Sequence, residues 1–207
     1  MAHIVGSQLA QVSLGNVALS SPSYDQLFVN GPAFADFPNA SIAVTSATCG
    51  PSGSVMGRQY TGEGKGLFPH IKWEEPSSLD KLMQYLLIAE DPDAPSPEPV
   101  VHGLYYNIPW RQHDIENKDL RPEGNEQYEN LLVGGFLYGQ NHRDTIYLSP
   151  SPPPGDGPHK YFYQVVGLSE ELDLDSLSSI PSRKELASAI EGKVTGWGAW
   201  VGVCERK

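Results

Sequence analysis

The chain has 207 residues, a net charge of −11 and a 39% hydrophobic fraction, which suits one domain built around one core. The negative charge argues against nucleic acid and anionic lipid surfaces as broad partners, because both bind through many Lys and Arg contacts. No apolar run approaches the roughly 20 residues of a membrane span. A small anion held locally by imidazole and backbone N–H groups stays open.

In chain order, Met1 to Gln8 has neither a basic start nor a long apolar stretch. No secretory signal is predicted, and a cytoplasmic protein is expected. Cys49 and Cys204 are far apart and fit no metal spacing, so free thiols are expected, with the Asn39-Ala40-Ser41 sequon unused. The 18 prolines and 21 glycines are dispersed, which reads as loops between short strands. Ser41 to Thr45 alternates like a strand, and Ala47 to Arg58 reads as a loop. Leu82 to Asp91 is an apolar run stopped by Pro92. As a strand between two layers it puts Met83, Tyr85, Leu87, Ala89 and Asp91 on one face.

Val100 to Ile108, closed by Pro109, predicts the next strand, with Leu131 to Leu137 and Thr145 to Leu148 as shorter candidates. Lys160 to Leu168 predicts a strand with Phe162, Val166 and Leu168 on one face and Tyr161, Tyr163 and Val165 on the other. Ser182 and Glu185 form a capping box after Pro181. Leu186, Ala189 and Ile190 continue it as an apolar stripe, and Gly192 marks its stop. Trp197 to Cys204 alternates with glycine and reads as a last strand. Many strands, few helices and no βα alternation predict a mainly β sandwich.

Three strings bear on chemistry. Asp91-Pro92-Asp93-Ala94-Pro95 is either a rigid turn, with Asp93 bonded to its own backbone, or a proline-locked loop that aims a strand-end carboxylate into a cavity. His102 is either a hydrogen-bonded core residue or a working one. Tyr147 to Tyr161 is a stiff polyproline-like connector, yet it ends with His159 and Tyr161 on one face of the following strand. Other candidates are weaker. Gly62 to Gly66 lacks the spacing of a phosphate loop, and no cofactor motif is present. Asp91, His102 and His159 lack tight metal-ligand spacing, so no metal is expected. His113 with Asp114 and Glu116 reads as a solvated polar turn.

Together the three strings resemble the phosphatidylethanolamine-binding proteins. Those proteins carry Asp-Pro-Asp-Ala-Pro, then a His before Asn-Ile-Pro, then a Gly/Pro-rich loop closing in His-Arg-Tyr. The matching residues are Asp91 to Pro95, His102 with Asn107-Ile108-Pro109, and Pro150 to Tyr161. Pro69 to Trp73 is similar to an upstream segment. The Ser182 to Gly192 helix and the Gly202 to Arg206 ending are similar to the bacterial and fungal branch. The resemblance is strongest over residues 60–206 and implies one domain over residues 1–207. That domain would be an antiparallel β-sandwich with a few short peripheral helices.

The resemblance also implies a pocket for phosphate, a carboxylate or a phospholipid headgroup. Asp91, Asp93, His102, His159 and Tyr161 would line it, with Ser149, Pro150 and Ser151 as a loop wall. This chain departs from the pattern at Gly103, where relatives carry Trp, at Ser149 for Gly and at Lys160 for Arg. It also departs in the Gly139 to Asp144 segment. A wider mouth beside His102 and added cationic character from His142 and Arg143 are therefore expected. Three activities follow from the resemblance. One is binding of a small anionic molecule or headgroup. The second is acid–base catalysis by Asp91, His102 and His159 in fungal polyketide pathways that make maleic-anhydride products. The third is inhibition of a protease or a kinase pathway through an unidentified protein partner.

Overall fold

The structure, a computed structural model, describes residues 23–74 and 82–207. Met1 to Gln8 lies outside them. Nine strands are described: β1 Val44–Ser46, β2 Ser54–Val55, β3 Ile71–Trp73, β4 Gln84–Asp91, β5 Val100–Pro109, β6 Asp114–Ile115, β7 Leu137–Tyr138, β8 His159–Leu168 and β9 Val194–Cys204. One α-helix, α1 Arg183–Ala189, and several 3-10 turns lie around them. A six-stranded sheet runs β2-β9-β8-β4-β5-β7, and a three-stranded sheet runs β1-β3-β6. The long neighbours pair antiparallel, whereas the short β2 pairs parallel with β9.

The large sheet is covered on both faces. Toward the small sheet, Tyr85, Leu87, Ala89, Tyr105, Tyr163 and Trp200 pack with Ile42, Ile71 and Trp73. On the reverse face, Leu86, Ile88, Leu104, Val166 and Leu168 pack with Phe28, Val29, Leu186 and Ile190. All of β4 is therefore buried, which is why Tyr85 to Ala89 is an unbroken apolar run. Met83 falls just outside it and is exposed. The glycines of β9 have a similar cause. A Cβ on Gly198 would stand 1.8 Å from the Ile42 carbonyl oxygen, because Ser41 and Ile42 cross there and donate to Trp197 O.

The helix starts as its sequence requires. Ser182 accepts from the Glu185 N–H while Glu185 returns a bond to the Ser182 N–H. Two short strand candidates come out differently. Thr145 to Leu148 forms no strand, because its backbone donors go elsewhere: Thr145 N–H to the Asn141 side chain and Leu148 N–H to His102 O. Within Leu131 to Leu137 only the last residue enters a strand. Leu132 and Phe136 close a tight turn there, with Gly135 at φ 79°.

Candidate functional site

Strands β5, β4 and β8 lie side by side and bring the ends of the predicted strings together. Asp91 closes β4 opposite Val100 of β5, and His159 opens β8. His102 arrives by a β-bulge. Ala89 pairs with Gly103 but Glu90 pairs with Val101, so His102 is the extra residue. The bulge turns its ring onto the Asp91 face, where it meets Tyr161 edge-on at 5.0 Å. Asp91, His102, His159 and Tyr161 are all at most 5% exposed.

Asp91 is the hub. Its Oδ1 accepts from the Asp93 and Ala94 N–H groups at 2.9 and 3.1 Å, so the turn-forming carboxylate is Asp91 and not Asp93. Its Oδ2 accepts from His159 Nδ1 at 2.9 Å. Burial, with the charge of Asp91 nearby, pushes the Tyr161 phenol far above its ordinary range. Asp93 turns to the chain itself. Its carboxylate accepts from the Tyr24 hydroxyl at 2.9 and 3.0 Å and from the Lys160 N–H at 2.8 Å.

The two histidines are held differently. His102 Nδ1 lies 2.7 Å from Leu148 O, and a carbonyl only accepts, so Nδ1 carries the proton. The neutral ring then keeps its Nε2 lone pair. Burial lowers the proton affinity of His102, against the Leu148 bond and Asp91, while His142 and His159 lower it further. For His159, burial also pulls downward, but the bond and charge of Asp91, with Asp156 and Asp93, outweigh it and raise its pKa. Its Nε2 faces Asp156 Oδ2 at 3.2 Å. A ring with a carboxylate at each nitrogen is held as the imidazolium.

The loop wall has a backing that sequence reading discarded. Pro150 O accepts from the Gly62 N–H at 2.8 Å. Cβ atoms on Gly62 and Gly66 would come within 3.1 and 3.0 Å of the Ser151 and Ser149 side chains. The Gly62 to Gly66 segment thus supports Ser149, Pro150 and Ser151. The expected gap beside Gly103 is filled. A Cβ there would stand 2.7 Å from the Tyr105 hydroxyl, which donates to Ile146 O. His142 is exposed and donates its N–H to Val101 O, close enough to His102 to affect its charge.

Several site residues escaped sequence reading. Asp156 stands three residues before His159, a spacing that was available as a signal. Cys204 pairs across β8 and β9 with His159, and burial with the charges of Glu63 and Asp91 raises its thiol pKa. Cys49 and Cys204 are free thiols. Asn141 is buried and donates to His102 O at 3.1 Å, fixing the loop beside the bulge.

Known proteins resemble the chain in sequence and in fold. The family model described as phosphatidylethanolamine-binding protein matches residues 46–205. A protein of Talaromyces stipitatus named phomoidride biosynthesis cluster protein B is 41% identical over 186 residues, covering 89% of this chain and 76% of that protein. A protein of the same name from a second fungus is 37% identical, covering 93% and 92%. Among solved structures, E. coli YbcL, described as a member of the mammalian PEBP family, superposes with a TM-score of 0.67 at 22% identity. It matches 81% of this chain and all 100% of its own. A Chlamydia trachomatis homologue gives a TM-score of 0.64 at 19% identity, covering 82% of this chain and 100% of its own. With a matching family model over most of its length and the same strand architecture, the chain belongs to the phosphatidylethanolamine-binding protein family.

Proposed function

We propose that the Asp91–His102–His159 pocket binds a small carboxylate-bearing molecule and removes a proton from it, in a fungal biosynthetic pathway of the phomoidride kind. The observation that carries this reading is the unequal pair of histidines. His159 is hydrogen-bonded to Asp91 and Asp156 and keeps its positive charge. His102 is neutral, with its tautomer set by Leu148 O and its Nε2 free to accept a proton. A cation beside a neutral base suits removal of an acidic C–H next to a carbonyl. The base takes the proton, and the cation and its hydrogen bonds stabilise the resulting enolate. The two fungal relatives named for a phomoidride cluster support a biosynthetic setting. Sequence resemblance to proteins of maleic-anhydride pathways suggests an alkyl-substituted maleic anhydride, or its ring-opened acid, as substrate.

The test is exchange of the allylic protons of such an anhydride with deuterated water, followed by NMR. The native chain should accelerate exchange, and His102→Gln should lower the enzymatic rate at least about 100-fold. Binding of the ring-opened acid without any exchange would reduce the pocket to a binding site for acids.

A further inference from the structure

The hydrogen bonding at His159 poses a problem for any ligand. Both ring nitrogens are already committed, Nδ1 to Asp91 and Nε2 to Asp156. An acid group cannot bond to His159 while both partners stay. The two partners differ sharply in exposure. The Asp91 side chain is 4% exposed and takes two backbone N–H groups besides His159, whereas the Asp156 side chain is 46% exposed. The imidazole between them is 3% exposed. Asp156 is therefore the member of the chain of contacts that stands between His159 and solvent.

The local backbone permits it to leave. Asp156 is flanked by Gly155 and Gly157, at φ 79° and 90°, and a Cβ on either would touch nothing within 4 Å. The loop is tied before that point. Pro150 O bonds to Gly62 N, and Gly155 N bonds to Arg206 O, whose side chain meets Glu63. Asp156 N donates to Pro153 O at 3.3 Å. Past Gly155, Asp156 and Pro158 are exposed.

Resting on the function proposed above, we infer that the Asp156 carboxylate is an internal stand-in for the ligand's acid group, displaced from His159 Nε2 when a carboxylate binds. The ligand's oxygen takes the place of Asp156 Oδ2, and Asp156 moves out into water. The exchange also defines the ligand class. With Nδ1 kept by Asp91, the single donor freed at Nε2 matches one carboxylate oxygen. The resident carboxylate rejects weak anions and admits those that gain contacts elsewhere in the pocket, such as with His102.

The test is an NMR titration of the full chain with acetate, read at the His159 ring nitrogens. Asp156→Ala should bind acetate about tenfold more tightly than the native chain, since the competing charge-assisted bond is gone. Asp156→Asn should fall between them. Glu63→Gln removes a nearby surface charge that does not touch His159 and should change affinity less than twofold. Equal tightening in Glu63→Gln and Asp156→Ala would mean a bulk charge effect and overturn the inference. Native binding with no gain in Asp156→Ala would overturn it too, leaving the proposed function standing. If acetate perturbs His159 in neither protein, both the inference and the proposed function fail.

Discussion

His102 and His159 carry the same ring and meet opposite surroundings. Two carboxylates bracket His159, while His102 is packed against Tyr161 and bonded to an uncharged carbonyl. Neighbours, not residue type, therefore divide cation from base. Gly103 makes the second half of this arrangement possible. The bulge puts residues 102 and 103 toward the same side, and any side chain at 103 would strike the Tyr105 hydroxyl. Gly103→Ala should push Tyr105 off Ile146 O and cost about 1–3 kcal/mol. Urea denaturation checks this, and an unchanged midpoint would contradict it. At this scale the sequence was only partly legible. It marked Asp91, His102, His159 and Tyr161 only through the resemblance of three ordered strings to the family. It could not show the bulge, since register depends on which β4 residue faces which β5 residue. Asp156 was overlooked because its loop reads as mere connector, although its spacing to His159 was a signal.

At the scale of elements, β4 sends one carboxylate to each face of the sheet. Asp91 meets His159 on one face, and Glu90 is buried on the reverse side. There Glu90 accepts from Phe28 N–H at 2.8 Å, Gln164 Nε2 at 2.7 Å and Arg183 Nε at 2.6 Å. Gln164 in turn accepts from Val29 N–H at 3.2 Å. This network pins the Phe28–Asn30 turn and the start of α1 to the back of the strand that carries Asp91. Arg183→Ala would leave a buried charge short of its cation and should destabilise the fold by about 3 kcal/mol. Equilibrium unfolding decides it, and a loss below about 1 kcal/mol would show that water replaces the guanidinium at no great cost. The strands themselves were legible, because short runs of apolar β-forming residues and proline stops are local. β4, β5, β8 and β9 begin or end within a few residues of their predicted bounds. Thr145 to Leu148 was not legible, because its hydrogen bonds go to Asn141 and His102, partners that only the folded chain supplies.

For the molecule as a whole, net charge −11 sets a field that repels anions, so the carboxylate binding proposed above would depend on local contacts around His159. The same pair of histidines links the site to folding stability. His159, raised above the ordinary value of 6.5, contributes stability that is full below that value and is lost as pH rises through its folded pKa. His102, lowered from 6.5, withdraws stability as pH falls below that value, because the unfolded chain then binds a proton the folded one refuses. Proton exchange on the substrate should follow a bell-shaped pH curve. It rises below 6.5 as His102 becomes neutral and falls above 6.5 as His159 loses its charge. The most direct measurement is a pH titration of the two ring-nitrogen pairs by NMR on the native chain. The account predicts that His102 titrates below 6.5, as an Nδ1–H tautomer, and His159 above it. Titration of both rings together, or His102 as the later of the two to lose its proton, would contradict it.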